Sequence, residues 1–259
     1  LISRTGGANA RLWLDANDSN SILQKDGKIY EWRDLSGRGN HATQPDSSHQ
    51  PSLIGDRVQF DGNDIMQVRD DAFRRSEISL VVVAKWDAGV SWGNIIAGYH
   101  GDPSIGWKLR QYDSNFNRLT FTSRGTTGPD SPNPSVSSSQ SDFFICSSFR
   151  EDDFRHLRHN GIVISKVSDR HHIFFGHSKE RGGIGGSFAG DEYNNPSGFL
   201  NGSIKELIVF EGKKAHEIDR FERYLANKWG IPIDGKISCA FRRSSPEFVL
   251  RLRKSKISA

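Results

Sequence analysis

The sequence predicts an all-β protein, an antiparallel β-sandwich closed by one C-terminal amphipathic helix. About ten or more short extended segments recur along the chain, with turn residues between them. Only residues 215–229 have helical spacing of apolar side chains. A chain of 259 residues is long enough for one large β-domain with a sizeable core.

Two segments predict strands with particular clarity. Asn160-Gly161 separates two extended segments and predicts a hairpin with a type I′ turn, because that turn needs positive φ at both central residues. Asp26-Gly27 is a second dipeptide suited to a hairpin turn. Residues 78–84 form a continuous apolar run rich in valine, which predicts a strand that is buried on both faces.

The helix is predicted from an apolar stripe. Ile218, Phe221, Leu225 and Trp229 follow one another at steps of three, four and four residues, as the buried face of a helix does. We expect this face to dock on the sandwich rather than on a partner helix. Gly230 ends the helix, and Pro232 follows it.

Glu206 interrupts an otherwise apolar strand over residues 201–210. If Ile204, Ile208 and Phe210 face inward, strand alternation turns Glu206 inward with them. A buried carboxylate needs a positive partner, hydrogen bonds or a metal ion. One hypothesis is a structural calcium ion; the alternative, which we favour, is an ion pair with an arginine.

The turn at residues 61–64 offers further oxygen atoms for such an ion. Asp61 and Asp64 are therefore predicted, with Glu206, as calcium ligands. The alternative is a β-turn in which the Asp and Asn side chains bond their own backbone. Calcium prefers six to eight oxygen ligands, so three carboxylates alone make an incomplete site.

Five sequence segments occur in a recognisable order along the chain, at residues 12–16, 31–44, 58–62, 202–210 and 223–231. Each motif alone is modest, but together and in this order they are specific. They resemble the concanavalin A-like, laminin-G-like jelly-roll domains of large bacterial surface and secreted proteins, and the resemblance covers about residues 10–232.

This resemblance implies a two-sheet jelly roll that serves as a carbohydrate- or protein-binding accessory module, in some members with a structural calcium ion. We therefore expect a non-catalytic binding or adhesion module of a larger extracytoplasmic protein, located extracellularly, at the cell surface or in the periplasm. Its predicted partner is a glycan or a cell-surface protein, and no nucleic acid. The motif Asp34 to His41 occurs in members whatever their ligand, so its polar residues are predicted to have a structural role.

Two other functions stay open at this stage. A glycoside hydrolase or lyase of the same fold needs two carboxylates close together on one face. Glu31 and Asp34 lie three residues apart, which in a strand directs them to opposite faces. The other alternative is a structural spacer with a featureless surface.

Sugar binding requires exposed aromatic rings beside polar side chains. Trp92, Tyr99, His100 and Trp107 surround a glycine-containing segment and are the predicted ligand-binding residues, although burial in the core is the competing interpretation. The other tryptophans named by the motifs are expected in the core.

The remaining predictions concern the chain as a whole. Residues 1–233 are predicted to form the domain, and the basic residues 234–259 a solvated tail or linker. The sequence shows no signal peptide and does not begin with Met, so we interpret it as a mature or excised piece. It contains no apolar run long enough for a membrane span. Cys146 and Cys239 could pair, but a free buried Cys146 is favoured.

Overall fold

The computed structural model describes residues 10–69, 72–73, 78–87, 93–99, 106–112, 118–124, 135–137, 142–168, 181–188 and 196–233. Within these residues the protein is a β-sandwich with one helix, as predicted, and all strand pairs are antiparallel. No helix of the described part has the length and apolar character needed to cross a lipid bilayer.

In the described part of the chain, nineteen strands precede one α-helix, α1 (Ala215–Trp229), and a 3-10 turn lies at Ser47–His49. The strands are β1 (Ala10–Asp15), β2 (Ile22–Lys25), β3 (Lys28–Trp32), β4 (Ala42–Thr43), β5 (Ser52–Ile54), β6 (Arg57–Asp61), β7 (Met66–Arg69), β8 (Ile78–Trp86), β9 (Asn94–Tyr99), β10 (Gly106–Tyr112), β11 (Arg118–Arg124), β12 (Ser135–Ser137), β13 (Phe144–Glu151), β14 (Phe154–His159), β15 (Ile162–Ser168), β16 (Arg181–Ile184), β17 (Ser187–Phe188), β18 (Pro196–Ser197) and β19 (Asn201–Glu211).

The strands form two layers that we call sheet A and sheet B. Sheet A has the order β15-β14-β13-β8-β19-β1. Sheet B has the order β3-β4-β7-β16-β9-β10-β11-β12. Strand β6 pairs with the start of β19, and β5 joins β6 to β3, so the two layers are continuous at one edge.

The main core fills the space between the two sheets. It includes Leu12, Val82 and Leu207 of sheet A against Leu109 and Phe121 of sheet B. Each of these side chains is almost fully excluded from solvent. Burial of this apolar surface is the main free-energy term that holds the layers together.

A second core lies between the outer side of sheet A and α1. The helix contributes Ile218, Phe221 and Leu225, so its predicted docking face is confirmed. Strand β8 is covered on both faces, since Val82 faces the sandwich interior while Val81 faces the helix, and this explains why residues 80–84 are apolar throughout. Ser79 is the polar exception, and its buried hydroxyl accepts a hydrogen bond from the backbone N–H of Lys213.

The local turn predictions are confirmed by backbone angles. Asn160 and Gly161 have φ of 47° and 82° and join β14 to β15. Gly230 ends α1 with φ of 68°, in the left-handed region that glycine adopts without steric cost.

The prediction that Ile204, Ile208 and Phe210 of β19 face the same side of the sheet is wrong. A bulge at Lys205 shifts the register between Ile204 and Glu206. Ile204 therefore faces the sandwich interior, whereas Ile208 and Phe210 face α1. Glu206 is buried as expected, but in the layer between sheet A and the helix.

The loop after β3 has the structural role that its motif predicted. Asp34 is buried, and its carboxylate accepts hydrogen bonds from the backbone N–H groups of Trp13 at 2.9 Å, Ser36 at 2.8 Å and Asn40 at 3.0 Å. The bond from Trp13 attaches the loop to β1, and the bonds from Ser36 and Asn40 fix the shape of the loop.

Candidate functional site

Glu206 lies at the centre of a buried polar cluster beneath α1. One carboxylate oxygen accepts hydrogen bonds from Trp13 Nε1 at 2.8 Å and Tyr224 Oη at 3.4 Å. The other accepts from Lys228 Nζ at 2.6 Å and Trp229 Nε1 at 2.8 Å. The predicted ion pair is therefore present, but its cation is a lysine of the helix rather than an arginine.

Burial raises the pKa of Glu206 above its ordinary value, and the neighbouring carboxylate of Asp15 raises it further, against the opposing effect of Lys228. Burial by itself lowers the pKa of Lys228, but Glu206 and Asp15 outweigh it and raise that pKa. Every neighbour that touches Glu206 is a hydrogen-bond donor. The cluster thus joins β1, β19 and α1 and has a structural role.

The predicted calcium ligands do not converge. Asp61 pairs with Asn201, which lies five residues before Glu206 on β19, a separation of about 16 Å along the strand. Asp61 Oδ1 instead accepts the backbone N–H of Asn63 at 3.0 Å, as the β-turn alternative required. Among the described residues no group of three or more His, Cys, Asp or Glu side chains is arranged to hold a metal ion.

Asp64 is a buried carboxylate whose Oδ2 accepts the backbone N–H of Asp61 at 3.0 Å. Burial raises its pKa to about 6, and Lys28 Nζ, 3.9 Å away, compensates only in part. Since the folded protein holds this proton more tightly than the unfolded chain, stability falls as pH rises from about 4 through 6.

We expect Asp64→Asn to remove that loss and to raise the free energy of unfolding at pH 7 by about 1–2 kcal/mol, because the amide oxygen still accepts the turn hydrogen bond. Urea unfolding at pH 4, 5, 6 and 7 measures the effect. A variant as pH-dependent as the wild type over this range would contradict the assignment to Asp64.

Of the four predicted ligand-binding residues, the described part of the chain includes Tyr99 on β9 and Trp107 on β10, two paired strands of sheet B. Trp92 and His100 lie outside the described residues. Tyr99 ends β9, where its backbone pairs with Gly106 and with Arg181, and its side chain is not described.

Trp107 contradicts its prediction. It is 1% exposed and stacks on Phe121 in the main core, with ring centroids 5.9 Å apart. Strand β10 directs this ring between the two sheets, where it is part of the main core.

The opposite side of the same strands forms a polar surface that we call the outer face. It consists of Asn94 on β9, Lys108 and Arg110 on β10, and Thr120 and Thr122 on β11. Since the core side chains of β10 and β11 alternate with these residues, strand geometry places the latter on the side of sheet B that faces away from the main core. Helix α1 covers sheet A and leaves this side of the sandwich uncovered by any described helix.

Register aligns the outer face in two rows. Arg110 lies opposite Thr120 on one side and Asn94 on the other, and Lys108 lies opposite Thr122. Directly opposite side chains have Cβ atoms about 5 Å apart, and Thr120 and Thr122 are about 7 Å apart along β11. Five polar side chains thus converge within an area that matches one or two sugar rings.

Three oxygen atoms of the outer face make no hydrogen bond to the described residues. They are the hydroxyls of Thr120 and Thr122 and the side-chain carbonyl oxygen of Asn94. All three residues are buried, at 2%, 6% and 3% exposure, while Lys108 and Arg110 are half-buried. A buried polar atom without a partner costs about 1–3 kcal/mol, and a ligand that bonds to it recovers that free energy.

The sequence predictions named Tyr99 and Trp107 on this hairpin and did not name the residues of the outer face. The sequence contained a signal that could have identified them, the alternation of Trp107 and Leu109 with Lys108 and Arg110. Apolar residues at a two-residue step indicate the side of a strand that faces the core, so the charged residues between them face the other side. Attention to aromatic rings alone favoured the side that is buried.

Solved structures with the same fold are binding proteins. One is botulinum neurotoxin type C, whose cell entry depends on interaction with two ganglioside molecules; it is 17% identical with a TM-score of 0.59, over 86% of this chain and 53% of that chain. Another is the binding domain of botulinum neurotoxin DC in complex with SialylT, 14% identical with a TM-score of 0.59, over 85% of this chain and 52% of that one.

A third is domain 4 of AbnA, a GH43 extracellular arabinanase from Geobacillus stearothermophilus, in complex with arabinotriose. It is 14% identical with a TM-score of 0.54, over 83% of this chain and 98% of that domain. This chain therefore spans about half of the neurotoxin chains and nearly all of the arabinanase domain.

No family model and no curated protein sequence matches this chain. At these low identities the structural likeness establishes the fold alone, a β-sandwich found in binding domains.

Proposed function

We propose that this domain is a non-catalytic carbohydrate-binding module and that the outer face of sheet B is its ligand site. The observation that carries the proposal is the set of three buried, unpartnered oxygen atoms on Asn94, Thr120 and Thr122. These oxygen atoms have almost no exposed surface, so a saccharide hydroxyl can donate hydrogen bonds to them only where neighbouring side chains move aside. The related folds support the class of ligand, since one is bound to arabinotriose and another belongs to a toxin that interacts with gangliosides.

The two competing functions fit the described residues less well. A glycosidase would need a pair of carboxylates beside the ligand, and β9, β10 and β11 contain no Asp or Glu. A spacer would need no buried unpartnered oxygens, because they lower the stability of the fold without any gain in function. A cell-surface protein remains the alternative partner.

An extracytoplasmic location follows from the proposed ligand, and one structural relative, the arabinanase, is extracellular. Membership of the concanavalin A-like, laminin-G-like group is part of the same proposal. The sequence motifs are the main argument for this membership, and the β-sandwich with its docked C-terminal helix supports it.

The double variant Thr120→Val, Thr122→Val tests the site. We expect glycan affinity to fall about tenfold or more, because both acceptor hydroxyls are lost while side-chain shape is kept. The melting temperature should stay the same or rise, since valine leaves no unpartnered oxygen. A glycan array followed by calorimetry on the best ligand measures affinity.

Thr43→Val is the matched control. Thr43 lies on β4, five strands from Thr122 in sheet B, or about 24 Å. Trp92→Ala belongs in the same series, because its predicted stacking role stays a prediction. Unchanged binding by the threonine double variant would refute the site, and no binding to any glycan would refute the function.

A further inference from the structure

One edge of sheet A is protected from pairing with another strand. At the β1 edge, the loop after β3 bonds to backbone groups that point away from β19. The N–H of Trp13 donates to Asp34 Oδ1 at 2.9 Å, and its carbonyl accepts the N–H of Leu35 at 2.8 Å. The carbonyl of Arg11 accepts the side-chain amide of Asn40 at 2.7 Å. These bonds occupy the positions at which a further strand could pair, so β1 is not a free edge.

The opposite edge of sheet A ends in β15, which in the described part of the chain pairs with β14 alone. Ile162 and Val163 at its start are each 52% exposed, the highest values among the large apolar side chains of the described residues. Lys166 is the one charged residue of the strand. An apolar edge with little charge is a template for pairing with another strand.

A bulge at Ile164 limits how much of this edge can pair. The register with β14 passes from Val163 opposite Arg158 to Ser165 opposite Leu157, which leaves Ile164 as the extra residue. A strand of seven residues is about 23 Å long, and an interface built on it alone falls in the small class below roughly 1,200 Å². Association through this edge is therefore weak and depends on concentration.

We propose that two copies of this domain associate through their β15 edges, antiparallel and about a two-fold axis near Ser165. In this register Val163 of each copy lies opposite Val167 of the other, so β-branched side chains meet at two places. Lys166 lies opposite Ile164 of the other copy, so no like charges are directly opposed.

Two features favour a second copy as the occupant of this edge and a dimer as the product. The register is self-complementary, as an interface with two-fold symmetry requires. Each copy uses its β15 edge, and its β1 edge is already bonded to the loop after β3. Neither of the two described edges of sheet A is then left for a third copy, so association stops at the dimer.

Sedimentation velocity over a concentration series from about 5 to 500 μM tests the proposal, because this range covers a weak interface. We expect the average mass to rise from one copy toward two and not beyond. Val163→Lys should weaken association about tenfold or more, since it places a buried charge beside Lys166 in each half of the interface. Ile54→Lys is the matched control: Ile54 is 45% exposed on β5, and the same change there should leave association unchanged.

Cross-linking locates the interface without disturbing its apolar residues. Lys166 is exposed, and the two-fold axis brings the two copies of this residue close together. Lys166→Cys in a Cys239→Ser background should give a covalent dimer with a short bismaleimide, while Cys146 is buried. Ser47→Cys in the same background places an equally exposed thiol in the 3-10 turn and should give none.

Three results would overturn the proposal. The first is a single monomeric species at the highest concentration, and the second is association that continues beyond two copies. The third is a Val163→Lys variant that associates like the wild type. If that variant melts at a lower temperature than the wild type, the cross-linking of Lys166→Cys against Ser47→Cys decides.

Discussion

Replacement of Glu206 by alanine is expected to lower the free energy of unfolding by about 3–5 kcal/mol. The carboxylate is fully buried, and its removal leaves the Nε1 groups of Trp13 and Trp229 without their acceptor and Lys228 with Asp15 as its remaining carboxylate partner. Glu206→Gln should also cost at least about 2 kcal/mol, because the amide has one donating end among neighbours that all donate. Urea unfolding measures both changes.

Glu211→Ala is the control on the same strand. Its carboxylate is 47% exposed and pairs with Arg11 at the surface, so the expected loss is about 0–1 kcal/mol. Equal losses at Glu206 and Glu211 would contradict the structural role of the cluster.

The role of Glu206 can also be tested by the loss of stability at alkaline pH. Because the pKa of Lys228 is raised in the folded state, its contribution to stability is complete below its ordinary value and is lost as pH rises through the folded value. Glu206→Gln removes one of the carboxylates that raise this pKa and should weaken the alkaline loss.

The second large effect is expected for Gly202→Ala, which should cost at least about 3 kcal/mol. Gly202 lies between β6 and β8, opposite Phe60 and Trp86. An added Cβ would collide with the carbonyl oxygen of Lys85 and lie 2.7 Å from Trp86 Cα. These are backbone atoms of a central strand, so neither can move without breaking the pairing of sheet A.

Gly230→Ala is the control that distinguishes a steric clash of the added Cβ from the cost of a left-handed backbone conformation. Gly230 has φ of 68° and nothing within 4 Å of an added Cβ, so alanine there loses only the left-handed backbone preference, about 1 kcal/mol. Denaturant midpoints of the two variants give the comparison. A Gly202 variant no less stable than the Gly230 variant would show that the close packing of β8 and β19 has been misjudged.

The fold was predictable where short-range patterns determine it. The Asn160-Gly161 turn, the docking face of α1 and the double burial of β8 each depend on residues close in sequence. The bulge at Lys205 was not predictable in this way. It depends on how β1, β6 and β8 pair with one strand from distant parts of the chain.

The candidate site was predictable only in part, for a related reason. The hairpin of β9 and β10 was named from its aromatic content, yet the relation of Arg110 to Thr120 and Asn94 exists only through the pairing of three strands. Likewise, the need of Glu206 for a partner follows from its strand, whereas Trp13 lies 193 residues away in sequence.

Strand β19 separates the sandwich interior from the layer beneath the helix, and its bulge determines which side chains face each of these two cores. Beyond Lys205, Leu207 and Val209 belong to the sandwich interior, and Ile208 and Phe210 belong to the helix layer. A change of volume at one residue is therefore felt in one compartment and not in the other. The layer that anchors the helix can diverge in sequence while the interior that supports the outer face stays intact, and both are controlled from a single strand.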